Sequence, residues 1–271
     1  MRHSISVLPL VLVLMLGCVV VFAAESATSS GSSASVAGTK TVLGEMKPVG
    51  RGTIQTWAEL DATGKPASIG VTFTEGMLEG LPDTLPGTEY ALSLPPQATG
   101  VPFTHFVLNW NPKGHIPAGI YDVPHFDFHF YIISPEARAQ MTATGDDLAR
   151  VLKAPAAECL PPGYITAEGA YEPHMGNHYV DSASPEFRGK PFTITFVYGA
   201  YDGKVAFLEP MITRAFLETK PDFSQPIKLP ARYPVSGYYP TRYALTYDAA
   251  NKQYRLALQG LTLRQTTPEA R

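Results

Sequence analysis

The sequence predicts a mainly β fold, an antiparallel sandwich or open barrel carrying a few short helices. Three observations lead there. The chain has 271 residues, 45% of them hydrophobic and 17% charged, so it holds enough apolar matter for a large core and disorder is excluded for most of it. Aromatic residues reach 11%, a bias toward side chains that pack well on a pleated surface. The 25 Pro and 23 Gly punctuate the chain too often for a helical bundle or a coiled coil. A formal charge of −3, from 21 basic and 24 acidic residues, gives no electrostatic footprint for nucleic acid, and no such partner is expected.

Residues 1–24 read as a signal peptide. Met1, Arg2 and His3 supply a short positive start, Ile5 to Ala24 is almost wholly apolar, and Val21-Phe22-Ala23 resembles a small-residue cleavage site. The mature protein is then expected outside the cytoplasm, in the periplasm or secreted. The alternative is a membrane anchor formed by residues 5–24, a stretch long enough to span a bilayer. Cleavage would remove Cys18 and leave Cys159, so the core rather than an intramolecular disulfide must supply stability. Residues 25–40, rich in Ser, Ala and Gly, read as a flexible linker, and a single β-rich domain is expected over 41–271.

Within that domain Thr53 to Leu60 and Ala67 to Thr74 alternate apolar and polar residues around the turn DATGKP, which predicts a hairpin. Phe103 to Trp110 and Pro124 to Ile133 are further strand candidates. Phe192 to Tyr198 and Lys204 to Glu209 form a second hairpin through Ala200-Tyr201-Asp202-Gly203, and Arg242 to Tyr247 and Gln253 to Leu261 a third through DAANK. Helices are expected in Glu136 to Lys153 and Met211 to Glu218. Ser134 and Pro135 suit the start of the first, and Gly145-Asp146 should split it in two.

The chemistry concentrates in Pro124 to Tyr131, PHFDFHFY. On an extended strand His125, Asp127 and His129 point to one face and Phe126, Phe128 and Phe130 to the other. Neighbours two residues apart sit about 7 Å from each other at Cα, close enough to share an ion, whereas the ends of the trio are about 13 Å apart. Two of the three are therefore expected as metal ligands, with the third behind them, and His178 or His115 completing the site from a loop. His174 and His178 lie in EPHMGNHYVD, where Pro173 and Gly176 argue for a loop. A strand-borne His and Asp with a loop His leave room for water, the pattern of an open site for zinc, iron or manganese. Glu209 is a further candidate ligand or base. His174 reads as surface, His105 as a hydrogen-bonded strand residue, and Cys159 as a buried small hydrophobe. The same alternation also describes a half-buried strand with Asp127 balanced by two flanking His. Motifs for serine hydrolases, phosphate-binding loops, dinucleotide folds, HExxH metalloproteases and CxxC redox centres do not occur in the sequence.

Four blocks, GIYDVPHFDFHFYIIS, MGNHYVD, FTITFVYGAYDGKV and EPMITRAFLETKP, occur in order between Thr88 and Pro221. Together they resemble a family of secreted bacterial proteins of unknown function first described structurally in Thermus. The resemblance implies export and a β-rich domain that self-associates as a homo-oligomer. It also implies that His115, His125, Asp127, His129, His178 and Asp181 belong to the family pattern, and it implies no reaction. Three readings of function follow. The first is an exported protein that binds a metal ion or small-molecule ligand through its His/Asp-rich strand. The second is a metal-dependent enzyme with an open site and a base such as Glu209 or Glu172, and the third a structural envelope protein with no metal site.

Overall fold

A computed structural model describes residues 38–266. The expected signal peptide and the linker up to residue 37 lie outside the described residues. Chain order begins with β1 (Lys40–Val49), β2 (Gly52–Leu60), β3 (Pro66–Thr74), β4 (Thr88–Ser93), β5 (His105–Asn111) and β6 (His125–Tyr131). Helices α1 (Pro135–Ala139) and α2 (Asp147–Leu152) follow, then the short β7 (Tyr164–Ile165) and β8 (Tyr171–Glu172), and β9 (Gly176–Asp181). The hairpin β10 (Ile194–Tyr201) and β11 (Lys204–Thr213) leads into α3 (Arg214–Glu218). The chain closes with β12 (Phe223–Pro226), β13 (Gly237–Tyr239), β14 (Arg242–Asp248), β15 (Gln253–Gln259) and β16 (Thr262–Arg264).

Two open antiparallel sheets form a sandwich rather than a barrel. One has the order β1-β2-β3-β15-β14-β12 and the other β4-β5-β6-β11-β10-β9-β7 with β8 also paired to β9, while β13 and β16 pair separately. The core lies between the two sheets. Ile54, Val71, Phe73, Tyr254 and Leu256 of the first meet Phe106, Phe126, Phe128 and Phe130 of the second, all of them buried. Phe73 reaches across to Phe128 with ring centroids 5.6 Å apart, and Phe106 meets Phe130 edge-on at 5.1 Å. The alternation of HFDFHF thus packs three Phe into the core and turns His125, Asp127 and His129 to the outer face.

The expected turns and caps are present. Ser134 Oγ accepts from the Ala137 amide at the start of α1, and α2 begins after Gly145 and Asp146. Tyr201 pairs with Lys204 around a two-residue turn whose Asp202 and Gly203 both have positive φ, 49° and 77°, which matches the strand twist.

Two local readings are corrected. Met211 to Thr213 continue β11 instead of starting a helix, because Met211 faces Asp127 and Thr213 faces His125 on β6. The helix starts at Arg214, with Thr213 Oγ1 accepting from the Phe216 amide. The segment EPHMGNHYVD is a loop only from Pro173 to Met175, after Glu172 of β8. Its second half is β9, which pairs with β10 through Tyr179 to Tyr198 and His178 to Gly199. Strand β1 carries Pro48 and three charged residues in a run with weak strand character, as suits an edge strand protected against further pairing. Its first residue, Lys40, already pairs with Leu60.

No helix among the described residues is long and apolar enough to cross a membrane.

Candidate metal centre

The outer face of the eight-stranded sheet would ordinarily be wet. Here it is largely buried, with residues of the 112–122 loop and of the 163–175 stretch that carries β7 and β8 lining a cavity over it. His125 and His129 are fully buried, Asp127 is 3% exposed and Glu209 1%. Two apolar groups frame these polar side chains, one of Val107, Tyr131, Ala206 and Phe207, the other of Tyr121, Phe192, Val197 and Met211.

The structure divides the expected trio. His125 and Asp127 join His115 of the loop after β5, while His129 joins His178 and Glu209; within each group every ligand atom lies within 4.8 Å of the others. These buried groups could each hold a metal ion. The division follows from an unbulged β6, which keeps His125 and His129 apart, and from register. Leu208 faces Phe130 and Met211 faces Asp127, so the intervening Glu209 falls opposite His129.

In the first group His125 Nε2 is 3.1 Å from Asp127 Oδ1 and His115 Nε2 is 3.6 Å from Oδ2. Asn111 of β5 donates its amide to Asp127 Oδ2 at 2.6 Å. Burial alone would raise the Asp127 carboxyl, but the charges and hydrogen bonds of His125 and His115 hold it well below its usual value. Burial works against the charged form of His115 as well, yet Asp127 raises it above 6.5.

In the second group His129 Nε2 lies 3.5 Å from Glu209 Oε1, and His178 Nε2 lies 3.9 Å from Oε2. Neither contact is a hydrogen bond. His129 Nδ1, His129 Nε2 and Glu209 Oε2 are buried and make no hydrogen bond to the protein. Such groups cost on the order of 1–3 kcal/mol each unless something else satisfies them. Burial lowers His129 to about 3, and burial with the His115 charge lowers His178 to about 4, so both rings are neutral at ordinary pH. Burial, reinforced by Asp127, pushes Glu209 well above the carboxylate range.

Phe207 seats both rings of this group, meeting His129 edge-on at 4.8 Å and His178 at 5.4 Å. It can do so because Gly199 lies opposite on β10, where a Cβ would fall inside the Phe207 ring. Gly199→Ala is accordingly expected to lower stability by about 1–3 kcal/mol through overpacking and to weaken metal binding, as read by urea unfolding and metal titration. Unchanged values in both would show that Phe207 has room to retreat.

A cavity of about 330 Å³ opens above these groups. Asn109, Asn111, His115, Asp127 and His178 reach it from the sheet side, while Leu85, Ile116 and Ile165 stand at its rim, 68%, 48% and 52% exposed. Glu172 also lines it. Asn109 and Asn111 carry no motif, but polar residues at alternate positions of an otherwise apolar strand were a usable sign. His174 is exposed at the loop tip, whereas His105 is buried, stacked on Tyr131 at 4.8 Å and paired with Thr104 Oγ1 at 2.9 Å. Asp181 lies away from both groups, its carboxylate 2.6 Å from Lys228 Nζ. Cys159 is half-buried.

The fold and site together describe a β-sandwich with two buried His/carboxylate groups beneath one cavity. Residues 61–110 match the TTHB210-like family, described as hypothetical protein TTHB210. That segment runs from the turn after β2 to Trp110 of β5 and ends before His115. The similarity agrees with the resemblance to uncharacterised Thermus-described proteins and brings no reaction. Comparison with curated proteins and with solved structures gives no match.

Proposed function

We propose that this protein binds a divalent transition-metal ion through His129, His178 and Glu209, with the cavity beside His178 admitting water or a small ligand to a remaining coordination position. The observation that supports this most is the set of buried, unsatisfied atoms on His129 and Glu209. Two donors held tetrahedrally at about 2.0–2.1 Å from one ion are about 3.4 Å apart, close to the 3.5 Å between His129 Nε2 and Glu209 Oε1. His178 Nδ1 points at the Ala170 carbonyl, 3.2 Å away, which fixes its proton there and leaves Nε2 as a ligand. Two imidazoles and a carboxylate suit zinc, iron or manganese. The apolar leader supports an extracytoplasmic setting for this function.

Elemental analysis of natively purified protein, with melting curves before and after adding zinc, manganese or iron(II), tests the reading. Stoichiometric metal and a raised melting temperature are expected. Absence of both would leave the strand as a buried polar layer without an ion.

Affinity should also depend on pH in one direction. Without an ion, burial and the Asp127 charge favour the protonated form of Glu209, and an ion bound by its carboxylate competes with that proton. Binding therefore strengthens as pH rises, with proton release as the ion enters. Calorimetric titration in two buffers of different ionisation enthalpy measures that proton; equal apparent enthalpies would contradict the assignment.

A further inference from the structure

We infer that the neighbouring group, His115, His125 and Asp127, is a second divalent-cation site, so that one chain carries two ions side by side beneath the cavity. The argument starts from where each ring must keep its proton. His125 Nδ1 lies 2.7 Å from the Val123 carbonyl and His115 Nδ1 lies 2.7 Å from the Ile116 carbonyl. A carbonyl can only accept, so both rings hold a proton on Nδ1. In the neutral ring the Nε2 atom is then a lone pair, and both lone pairs are turned to a carboxylate that also only accepts. These three acceptors converge at 3.1 to 3.6 Å with the Asn111 amide as their one donor, and they repel one another unless a positive charge also lies between them.

His125 and Asp127 are buried, His115 is half-buried at the cavity, and Asp127 Oδ1 makes no hydrogen bond. Around it the supports of a metal site are already in place. Backbone carbonyls fix the orientation of both rings, and the Asn111 amide braces the other carboxylate oxygen while lying 3.4 Å from His125 Nε2. His125 is further held edge-on by Phe192 at 5.5 Å and by His115 at 4.6 Å. Two nitrogens and one carboxylate leave one or two positions open toward the cavity, which His115 and Asp127 both line. The charge balance points the same way. Asp127 faces Met211, two residues from Glu209, so two acidic side chains are buried on adjacent strands of one face, and a cation at each group would offset the cost of burying its carboxylate.

A proton rather than a metal could supply the positive charge, making the group a plain histidine–aspartate ion pair. Counting ions separates the two. The full chain is loaded with zinc, passed through a desalting column, and analysed for zinc per chain as wild type, Asp127→Asn, Glu209→Gln and the double variant. The expected counts are two, one, one and none. Wild type holding a single zinc that Asp127→Asn retains and Glu209→Gln loses would overturn the second site and leave the proposed inner site standing. A single zinc lost by Asp127→Asn and kept by Glu209→Gln would support this site and overturn the inner one. No zinc in the wild type overturns both. Should Asp127→Asn fold poorly, His115→Ala removes a ligand from a loop without touching the sheet, and it should weaken the second zinc by more than about 10-fold while sparing the first. Equal affinity of both zincs in His115→Ala and wild type would also overturn the inference.

Discussion

Glu209→Gln is expected to abolish binding at the inner group while leaving the ion-free fold at least as stable as before. The two side chains have nearly the same shape, so packing against His129 and Val197 is kept. Burial raises the pKa of Glu209 in the folded chain above its unfolded value of 4.5. A group shifted in that direction contributes its full stability below the unfolded pKa and loses it as pH rises through the folded one. Glutamine does not titrate, so above pH 4.5 the ion-free variant matches or exceeds wild type. Loading with metal reverses the order. An ion at about 100 times its Kd adds roughly 2.7 kcal/mol to a protein that binds it only when folded, worth about 5–10 °C in melting temperature at this size. Melting curves of chelator-treated and zinc-loaded protein at pH 7 and 8.5 give the comparison. A zinc-induced rise in Glu209→Gln as large as that of wild type would remove Glu209 from the ligand set.

Phe128→Ala should cost about 3–5 kcal/mol of stability and leave the ligand residues as they are. Phe128 is fully buried at the centre of the sandwich, with Phe73, Phe106 and Phe126 around it at 5.6, 6.3 and 6.2 Å. These neighbours belong to strands β3, β5 and β6, each held in a ladder, so the space left by the ring cannot readily collapse. Both His/carboxylate groups sit on the opposite face of β6 and lose no contact with it. Denaturant unfolding measures the cost and zinc titration of the folded fraction measures the site. A loss below about 1 kcal/mol would mean that the sheets close over the gap.

Much of this was legible in local sequence. The two-residue period of HFDFHF is enough to assign one face to the core and the other to chemistry, because pleating leaves a strand no other choice. Strand β6 also told that His125 and His129 could not both reach one ion without a bulge. What it could not tell is where the partner of His129 comes from. Glu209 was a candidate on its own merits, but its place opposite His129 is set by the register of β11 on β6, a long-range property that no nearby residue announces. His178 was legible as a ligand type and misread as a loop residue. Gly176 and Pro173 suggested irregular chain, yet Gly176 has a φ of 88° and is buried where a side chain would strike the Ala200 carbonyl, so the glycine admits the strand to the sheet. Asn109 and Asn111 passed unmarked because asparagine alone carries no motif, even though both reach the cavity.

Strand β6 is hydrogen-bonded on both edges, to β5 and to β11. Detaching it would break two ladders and expose three Phe, an opening close in free energy to unfolding the whole sandwich. Its amides are therefore expected to be among the last to exchange with deuterium. An ion held by its outer face, as proposed, would not be exchanged by that route. It would enter and leave through the cavity, past Ile116 and Ile165 at the rim, while the strand beneath stays shut.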